Sequence, residues 1–281
     1  MTSKVLLEID RRGVATLTLN RPEVHNAFDA DLVLRLTERL VELKSRPEVR
    51  VVVLTGAGRA FSAGADMNWM RSMAACSEEE NLEDALHLAD LMSLLNSLPL
   101  PTVACVNGHA YGGGVGLVSC CDIAIASNEA RFALSEVRLG LVPAVISPYV
   151  VAAIGERNAR RLFLSGEAMS AKLARRVGLV HEIAKPHRLA EALEDQVSQL
   201  LKGGPVALRE SKELIFMVEG GSLSADAVLR HRTAQIIAQL RVSAEGQEGL
   251  AAFLEKRVPA WVAEEDPRAG TRRGGAAEDG E

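Results

Sequence analysis

The chain has 281 residues, 48% of them hydrophobic, enough to bury one substantial core; with aromatics at only 4%, that core must be built from Val, Leu, Ile and Ala. The formal net charge is −5 and Lys and Arg are dispersed, which excludes the basic stripe of a nucleic-acid binder. No apolar run reaches the roughly 18–20 residues that cross a bilayer, and the N-terminal residues enter a strand pattern without an apolar leader, so a cytoplasmic protein is expected.

Residues 5–20 read as two strands around the turn Arg11-Arg12-Gly13, with Val14, Thr16 and Thr18 alternating against Leu17 and Leu19. After Arg21-Pro22 a helix is predicted over residues 29–44, because Leu32, Leu36, Leu40 and Leu43 recur at a helical period. Residues 49–54 form a buried-strand run that ends at Thr55-Gly56-Ala57-Gly58. A long amphipathic helix follows over residues 78–97, opened by Glu78-Glu79-Glu80 and stopped by Pro99 and Pro101. Residues 103–106 give another strand, then three consecutive glycines lead into a helix that runs to Cys120, and residues 122–126 give one more strand. From Pro148 onward the pattern reads as helical almost without break. Strands alternating with helices up to residue 145 predict an α/β core with parallel strands and right-handed crossovers, and the helical C-terminal third predicts a separate layer.

The four cysteines, Cys76, Cys105, Cys120 and Cys121, show neither Cys-x-x-Cys nor a paired His spacing, so they read as small apolar residues in a reducing compartment, and no metal site is expected. The six histidines are scattered, and only His109 falls in a segment with a chemical reading.

Three segments carry chemistry. In Ala60-Phe61-Ser62-Ala63-Gly64-Ala65-Asp66-Met67, small residues leave the backbone bare, so its N–H groups can approach a ligand; the same string also suits a tightly packed turn. In Asn107-Gly108-His109-Ala110-Tyr111-Gly112-Gly113-Gly114, the glycines place free amides at the positive end of a helix. A phosphate loop would need Gly-Lys-Ser/Thr, and a dinucleotide fingerprint would follow the first strand of the fold; neither holds. An amide-lined hollow for an oxygen that gains charge during reaction remains. In Phe132-Ala133-Leu134-Ser135-Glu136-Val137-Arg138-Leu139-Gly140, Glu136 stands in an apolar stretch, where desolvation raises proton affinity and suits a group that takes and returns protons near neutral pH. A salt bridge from Glu136 to Arg131 or Arg138 is the alternative reading.

In this order and spacing, with Leu19-Asn20-Arg21-Pro22-Glu23-Val24-His25-Asn26-Ala27-Phe28 before them and residues 248–257 behind, the segments resemble the crotonase (enoyl-CoA hydratase/isomerase) superfamily over residues 6–261. The resemblance implies a spiral of ββα turns forming a CoA-thioester-binding core over residues 1–200. It also implies a helical trimerisation region over residues 201–263, and a trimer or a hexamer; the polar, Gly-rich tail 264–281 is expected to be disordered. It implies that the backbone amides of Ala65 and Gly113 bind the thioester oxygen. Asn26, Ala27, Ala63, Gly64, Asp66 and Met67 would line the CoA groove, and Phe253 and Lys256 would close over CoA, often from a neighbouring subunit. No metal or redox cofactor is implied, coenzyme A being part of the acyl-CoA substrate.

One departure bears on mechanism. Hydratases of this family carry a glutamate three positions after the middle glycine, and here that position is Gly116. A glycine there gains nothing from helix propensity, so it is not expected to serve stability. Glu136 is then left to work alone, one oxygen taking a proton from water as the other delivers one to the α-carbon. His109 and Tyr111 flank the glycines and read as packing residues rather than a second proton carrier. Gly116, residues 135–149 and residues 242–250 resemble a bacterial branch of methylglutaconyl-CoA and isohexenylglutaconyl-CoA hydratases. Substrates of that branch carry a second carboxylate, for which Arg71 and Arg138 are the candidate cations. Two other readings share the scaffold: enoyl-CoA isomerisation or decarboxylation, and a non-catalytic homologue that binds acyl-CoA or RNA.

Overall fold

The computed structural model describes residues 3–219 and 227–262. The expected disordered tail lies outside the described residues.

Strands β1 (Val5–Ile9) and β2 (Val14–Leu19) form the N-terminal antiparallel hairpin. Helix α1 (Ala30–Lys44) opens on Asp29, whose side chain accepts from Leu32 N, and buries the predicted face of Leu32, Leu36, Leu40 and Leu43. The chain then winds in repeating turns of strand, strand and helix. β3 (Val51–Gly56) and β4 (Ala60–Ser62) lead to α2 (Met67–Met73) and α3 (Glu78–Asn96); β5 (Thr102–Val106) and β6 (His109–Tyr111) lead to α4 (Gly113–Cys120); β7 (Ile123–Ser127) and β8 (Arg131–Ala133) lead to α5 (Ser147–Ser165). In each turn the first strand joins one sheet and the second joins another. Two sheets result, of six strands in the order β1-β2-β3-β5-β7-β10 and of four in the order β4-β6-β8-β9.

Continuous apolar runs such as Val51-Val52-Val53-Leu54 are what a parallel strand covered on both faces requires. Val52 and Leu54 face the main core with α1, α3 and α4, while Val51 and Val53 face a smaller cluster with Val103, Ile125 and helix α7 (Leu189–Leu201). Among the described residues no helix is long and apolar enough to cross a membrane.

The last third departs from the expected helical run. Two short strands interrupt it: β9 (Met169–Ser170) pairs antiparallel with β8, and β10 (Glu182–Ala184) pairs parallel with β7 and closes the six-stranded sheet. Segments of two and three residues are too short to show a period of two, so helix α6 (Ala171–Val177) between them dominates the pattern. Helices α8 (Pro205–Glu219), α9 (Ala227–Val242) and α10 (Ala244–Glu255) follow.

Helix α8 is tied to the core by one buried cation. Lys212 Nζ donates to Asp122 Oδ2 at 2.9 Å and to the carbonyl of Leu100 at 3.2 Å, while the same carboxylate oxygen accepts from Thr102 N and Oγ1. Removing the cation strands a carbonyl and half-unpairs a carboxylate. Lys212→Met is therefore expected to cost about 1–3 kcal/mol, read as a lower urea midpoint with an unchanged slope. An unchanged midpoint would refute this account of the anchor.

Candidate active site

The turn before α2 is built around Phe28 and Asn26. Phe28 N donates to Gly64 O (2.7 Å) and Asp66 N donates to Phe28 O (2.8 Å), which makes an isolated parallel bridge between Phe28 and Ala65. In that pattern the flanking residues do the bonding, so the N–H of Ala65 points away from Phe28, and Ala65 itself is exposed. Gly64 holds φ +87°, and a methyl there would lie 3.1 Å from the Tyr111 carbonyl oxygen, so glycine is required both by conformation and by space.

Asn26 is fully buried: its side chain donates to the carbonyls of Ala57 and Ala60 and accepts from Arg21 N. It shapes this turn without presenting a side chain to a groove, and Ala27 beside it is buried too. Asp66 caps α2 through Asn68 N at 2.8 Å and pairs with Arg21 at 3.0 Å. Burial works against its charge, but the amides of Asn68 and Trp69 and the Arg21 guanidinium outweigh it and hold the carboxyl below its ordinary value. Ala63 is half-buried and Met67 exposed on the rim of the same turn.

The second glycine turn meets the first. Gly112 sits at φ +49°, donates its N–H to Ala133 O at 2.9 Å, and leaves Gly113 as the first residue of α4. The first amides of a helix have no partner within it, and no hydrogen bond of the described residues uses the N–H of Gly113 or that of Ala65. A methyl built on Gly112 would lie 3.1 Å from Oε1 of Glu136 and 4.0 Å from the Cα of Gly64. All three chemistry-bearing segments therefore converge on one place.

Glu136 opens a short 3-10 turn, Glu136–Leu139, and forms no ion pair among the described residues. The expected alternative of a bridge to Arg131 or Arg138 is not what the structure shows: the Arg138 guanidinium lies against Gly166, 3.1 Å from where a methyl would stand. Oε2 of Glu136 is buried without a hydrogen-bond partner. Burial pushes the carboxyl above its ordinary value, and the only opposing influence is a hydrogen bond from its own backbone amide.

The sign of the linkage is definite. A carboxyl whose folded value is raised imposes a penalty that is absent below its unfolded value, grows as pH rises, and is complete above the folded value. Glu136→Gln should accordingly raise the melting temperature at neutral pH, with the gain vanishing in acid; thermal scans that show equal gains at pH 3 and pH 8 would overturn the assignment.

Other expected participants stand apart. His109 is exposed, stacks on Tyr111 with ring centroids 5.8 Å apart, and accepts from Arg131 N at Nδ1, a packing role. Phe253 is 80% exposed on α10, and Lys256 ends that helix in the left-handed region at φ +57°. Among the described residues no hydrogen bond or ion pair joins either to the turns that hold Ala65 and Gly113. Their segment is held by other contacts: Arg257 pairs with Glu248, Ala260 N donates to Glu248, and Arg50 donates to the carbonyl of Trp261. Among the described residues no group of His, Cys, Asp and Glu could hold a metal.

Gly116 has a packing cause that the sequence hides. A methyl there would stand 2.3 Å from Cγ2 of Ile146 and 3.1 Å from Cε of Met92, so the place of a longer side chain is filled by Ile146. The expectation that this glycine serves no structural end is thus corrected. The sequence reading also missed Phe28, whose backbone turns Ala65, because a bridge of one residue leaves no pattern.

A profile of the enoyl-CoA hydratase/isomerase family matches residues 10–264. A solved enoyl-CoA hydratase from Shewanella pealeana is 43% identical, with a TM-score of 0.87, covering 92% of this chain and 96% of its own. The (E)-benzylidenesuccinyl-CoA hydratase of Thauera aromatica is 31% identical over 92% of this chain and 98% of its length. The 2,3-dehydroadipyl-CoA hydratase of Escherichia coli is also 31% identical, over 89% and 95%. The two sheets wound by ββα turns are the crotonase fold. The chain belongs to the enoyl-CoA hydratase/isomerase family, and is an enzyme of the hydro-lyase type that hydrates enoyl-CoA thioesters.

Proposed function

We propose that the chain hydrates a branched 2-enoyl-CoA of the 3-methylglutaconyl type to the 3-hydroxyacyl-CoA, with Glu136 as the acid/base. The observation that carries this is Glu136 Oε1 standing 3.1 Å from where a methyl on Gly112 would lie, with the Cα of Gly64 4.0 Å from the same point, while Oε2 stays buried and unpaired. The amides of Ala65 and Gly113 draw charge onto the thioester oxygen, so the β-carbon accepts water and the α-carbon accepts a proton. Burial favours the protonated carboxyl. Its carbonyl oxygen takes a proton from the attacking water as its hydroxyl delivers one to the α-carbon, and the carboxyl ends as it began. Asn26 and Ala27 set the turn, and Ala63, Gly64, Asp66 and Met67 shape the CoA groove beside it. No metal or redox cofactor enters this chemistry.

The second carboxylate is supported by the relatives: benzylidenesuccinyl-CoA and dehydroadipyl-CoA are both thioesters of dicarboxylic acids. On this chain Arg71 suits that group. It is exposed on α2, one turn beyond the Asp66 cap, and its guanidinium donates only to the neutral amide of Asn68 among the described residues. Exposed Ile215, Phe216, Ile237, Leu250, Phe253 and Leu254 on α8–α10 support a homotrimer or a hexamer of two trimers, in which Phe253 and Lys256 of one subunit reach the CoA of the next. Place in a cytoplasmic compartment accords with four cysteines that are all free.

The test is loss of enoyl absorbance with crotonyl-, 3-methylcrotonyl- and 3-methylglutaconyl-CoA. The dicarboxylate is expected to have the highest kcat/KM, and Arg71→Ala to erase about tenfold of that preference. A preference for crotonyl-CoA would sink the substrate assignment. Isomerisation is favoured by one observation, that Glu136 is the one uncommitted carboxylate at the site among the described residues, which suffices for a 1,3 proton shift; faster turnover of 3-enoyl- than 2-enoyl-CoA would select it.

A further inference from the structure

Two residues break their local rules in the same contact. Gly116 lies inside helix α4, where glycine is the poorest residue after proline, and Ile146 occupies the N-cap of α5, where Ile is among the poorest caps and supplies no side-chain hydrogen bond. Ser147, a good cap, stands one residue too late. The two faults meet: Ile146 is 3% exposed, and its Cγ2 fills the space a methyl at 116 would take. Local losses that combine in one place, one turn of α4 beyond the glycine nearest Glu136, mark a requirement of the site rather than of the fold.

The chain between Glu136 and Ile146 shows what is being held. Leu139, Leu141 and Val142 are more than half exposed, and within the stretch Val137 and Arg138 rest against Gly166 at the end of α5. It is fixed in front by buried Leu134 and behind by Pro143 and Ile146. Its backbone turns back on itself, Leu141 N donating to Glu136 O at 3.1 Å, Gly140 N to Val137 O at 3.3 Å and Ala144 N to Val142 O at 2.8 Å. The knob of Ile146 in the hollow of Gly116 thus ties this loop to α4, the helix whose first residue, Gly113, follows the glycine whose open side faces Glu136 Oε1.

We infer that Ile146 is a positioning residue: seated on Gly116, it locks the loop that carries Glu136 against α4 and keeps water from the buried Oε2. The inference rests on the reading of Glu136 as acid/base and explains how one carboxylate is kept dry and aimed.

The test uses Ile146→Ala, Ile146→Val, Gly116→Ala and the double variant Gly116→Ala/Ile146→Ala, with Glu136→Gln alongside. Ile146→Ala is expected to lower kcat about tenfold or more with KM within about twofold, since a misplaced reacting group costs rate more than binding. Ile146→Val, which keeps Cγ2, should stay near wild type. Gly116→Ala should also be slow, and the double variant faster than either alone, because its new methyl occupies the space that Ile146 vacates. A readout independent of turnover is the titration of the Glu136 carboxyl carbon, followed by 13C NMR; Ile146→Ala should move it down toward the ordinary carboxylate range. No charged side chain pairs with Glu136 among the described residues, so water entry is the change this titration reports. An Ile146→Ala protein that melts earlier yet keeps both kcat and the titration would show that Ile146 only packs the core. Equal activity of Glu136→Gln and wild type would instead remove the acid/base reading, with the NMR titration still deciding whether Ile146 positions the carboxyl.

Discussion

Glu136→Gln is expected to lower kcat for hydration of 2-enoyl-CoAs by about 10²–10⁴-fold, with KM nearly unchanged. The amide has the shape of the carboxyl and fills the same half-buried place, so neither the loop nor the glycine turns should move. What disappears is the ability to take one proton and give another. Among the described residues Asp66 is committed to Arg21 and to the α2 cap, and Ile146 occupies the space beside Gly116, so no second free carboxylate is at hand and the loss should lie toward the upper end. The wild-type rate should itself fall as pH rises through the elevated folded value of Glu136, where the delivering proton is lost; the variant should lack that limb. This loss coincides with the gain in neutral-pH stability expected from removing a buried, unpaired carboxyl oxygen, so a single substitution should make the protein firmer and inactive. Steady-state rates within a few-fold of wild type would show that the proton comes from elsewhere.

Much of this site is written in runs of sequence. The bare turn 60–67, the glycines at 112–114 and the carboxylate at 136 each stand out by composition, and their order and spacing carry the family. The ββα winding is also legible, since β3, β5 and β7 are apolar runs of strand length. Less visible is what depends on one residue meeting another from a distant segment. β9 and β10 are too short for periodicity, and Phe28 aims the Ala65 amide through a bridge of a single residue. Gly116 reads in sequence as a lost functional group, whereas the structure shows a hollow filled from residue 146, thirty positions away. Asn26 reads as part of a groove and proves to be the buried knot of a turn, which a polar residue in a left-handed conformation does not announce. Packing against sequence-distant partners decides each of these cases, and no local pattern records it.

Ala65→Pro should lower kcat by about 10²–10³-fold, equivalent to roughly 2.7–4 kcal/mol of transition-state stabilisation, while the fold survives. Proline removes one N–H and sets its Cδ where that hydrogen stood. The bridge to Phe28 is made by Gly64 O and Asp66 N, so no native hydrogen bond uses the amide being deleted. Ala65 is exposed, which gives the ring room, and the residue before it is a glycine already held outside the helical region. If this amide and that of Gly113 share the developing negative oxygen, losing one should slow the chemical step far more than it weakens binding of the CoA thioester. A variant that melts like wild type, binds product CoA ester normally and turns over slowly is the expected result. Turnover within threefold of wild type in such a folded variant would mean that the thioester oxygen lies elsewhere, and that the convergence of the glycine turns serves packing rather than catalysis.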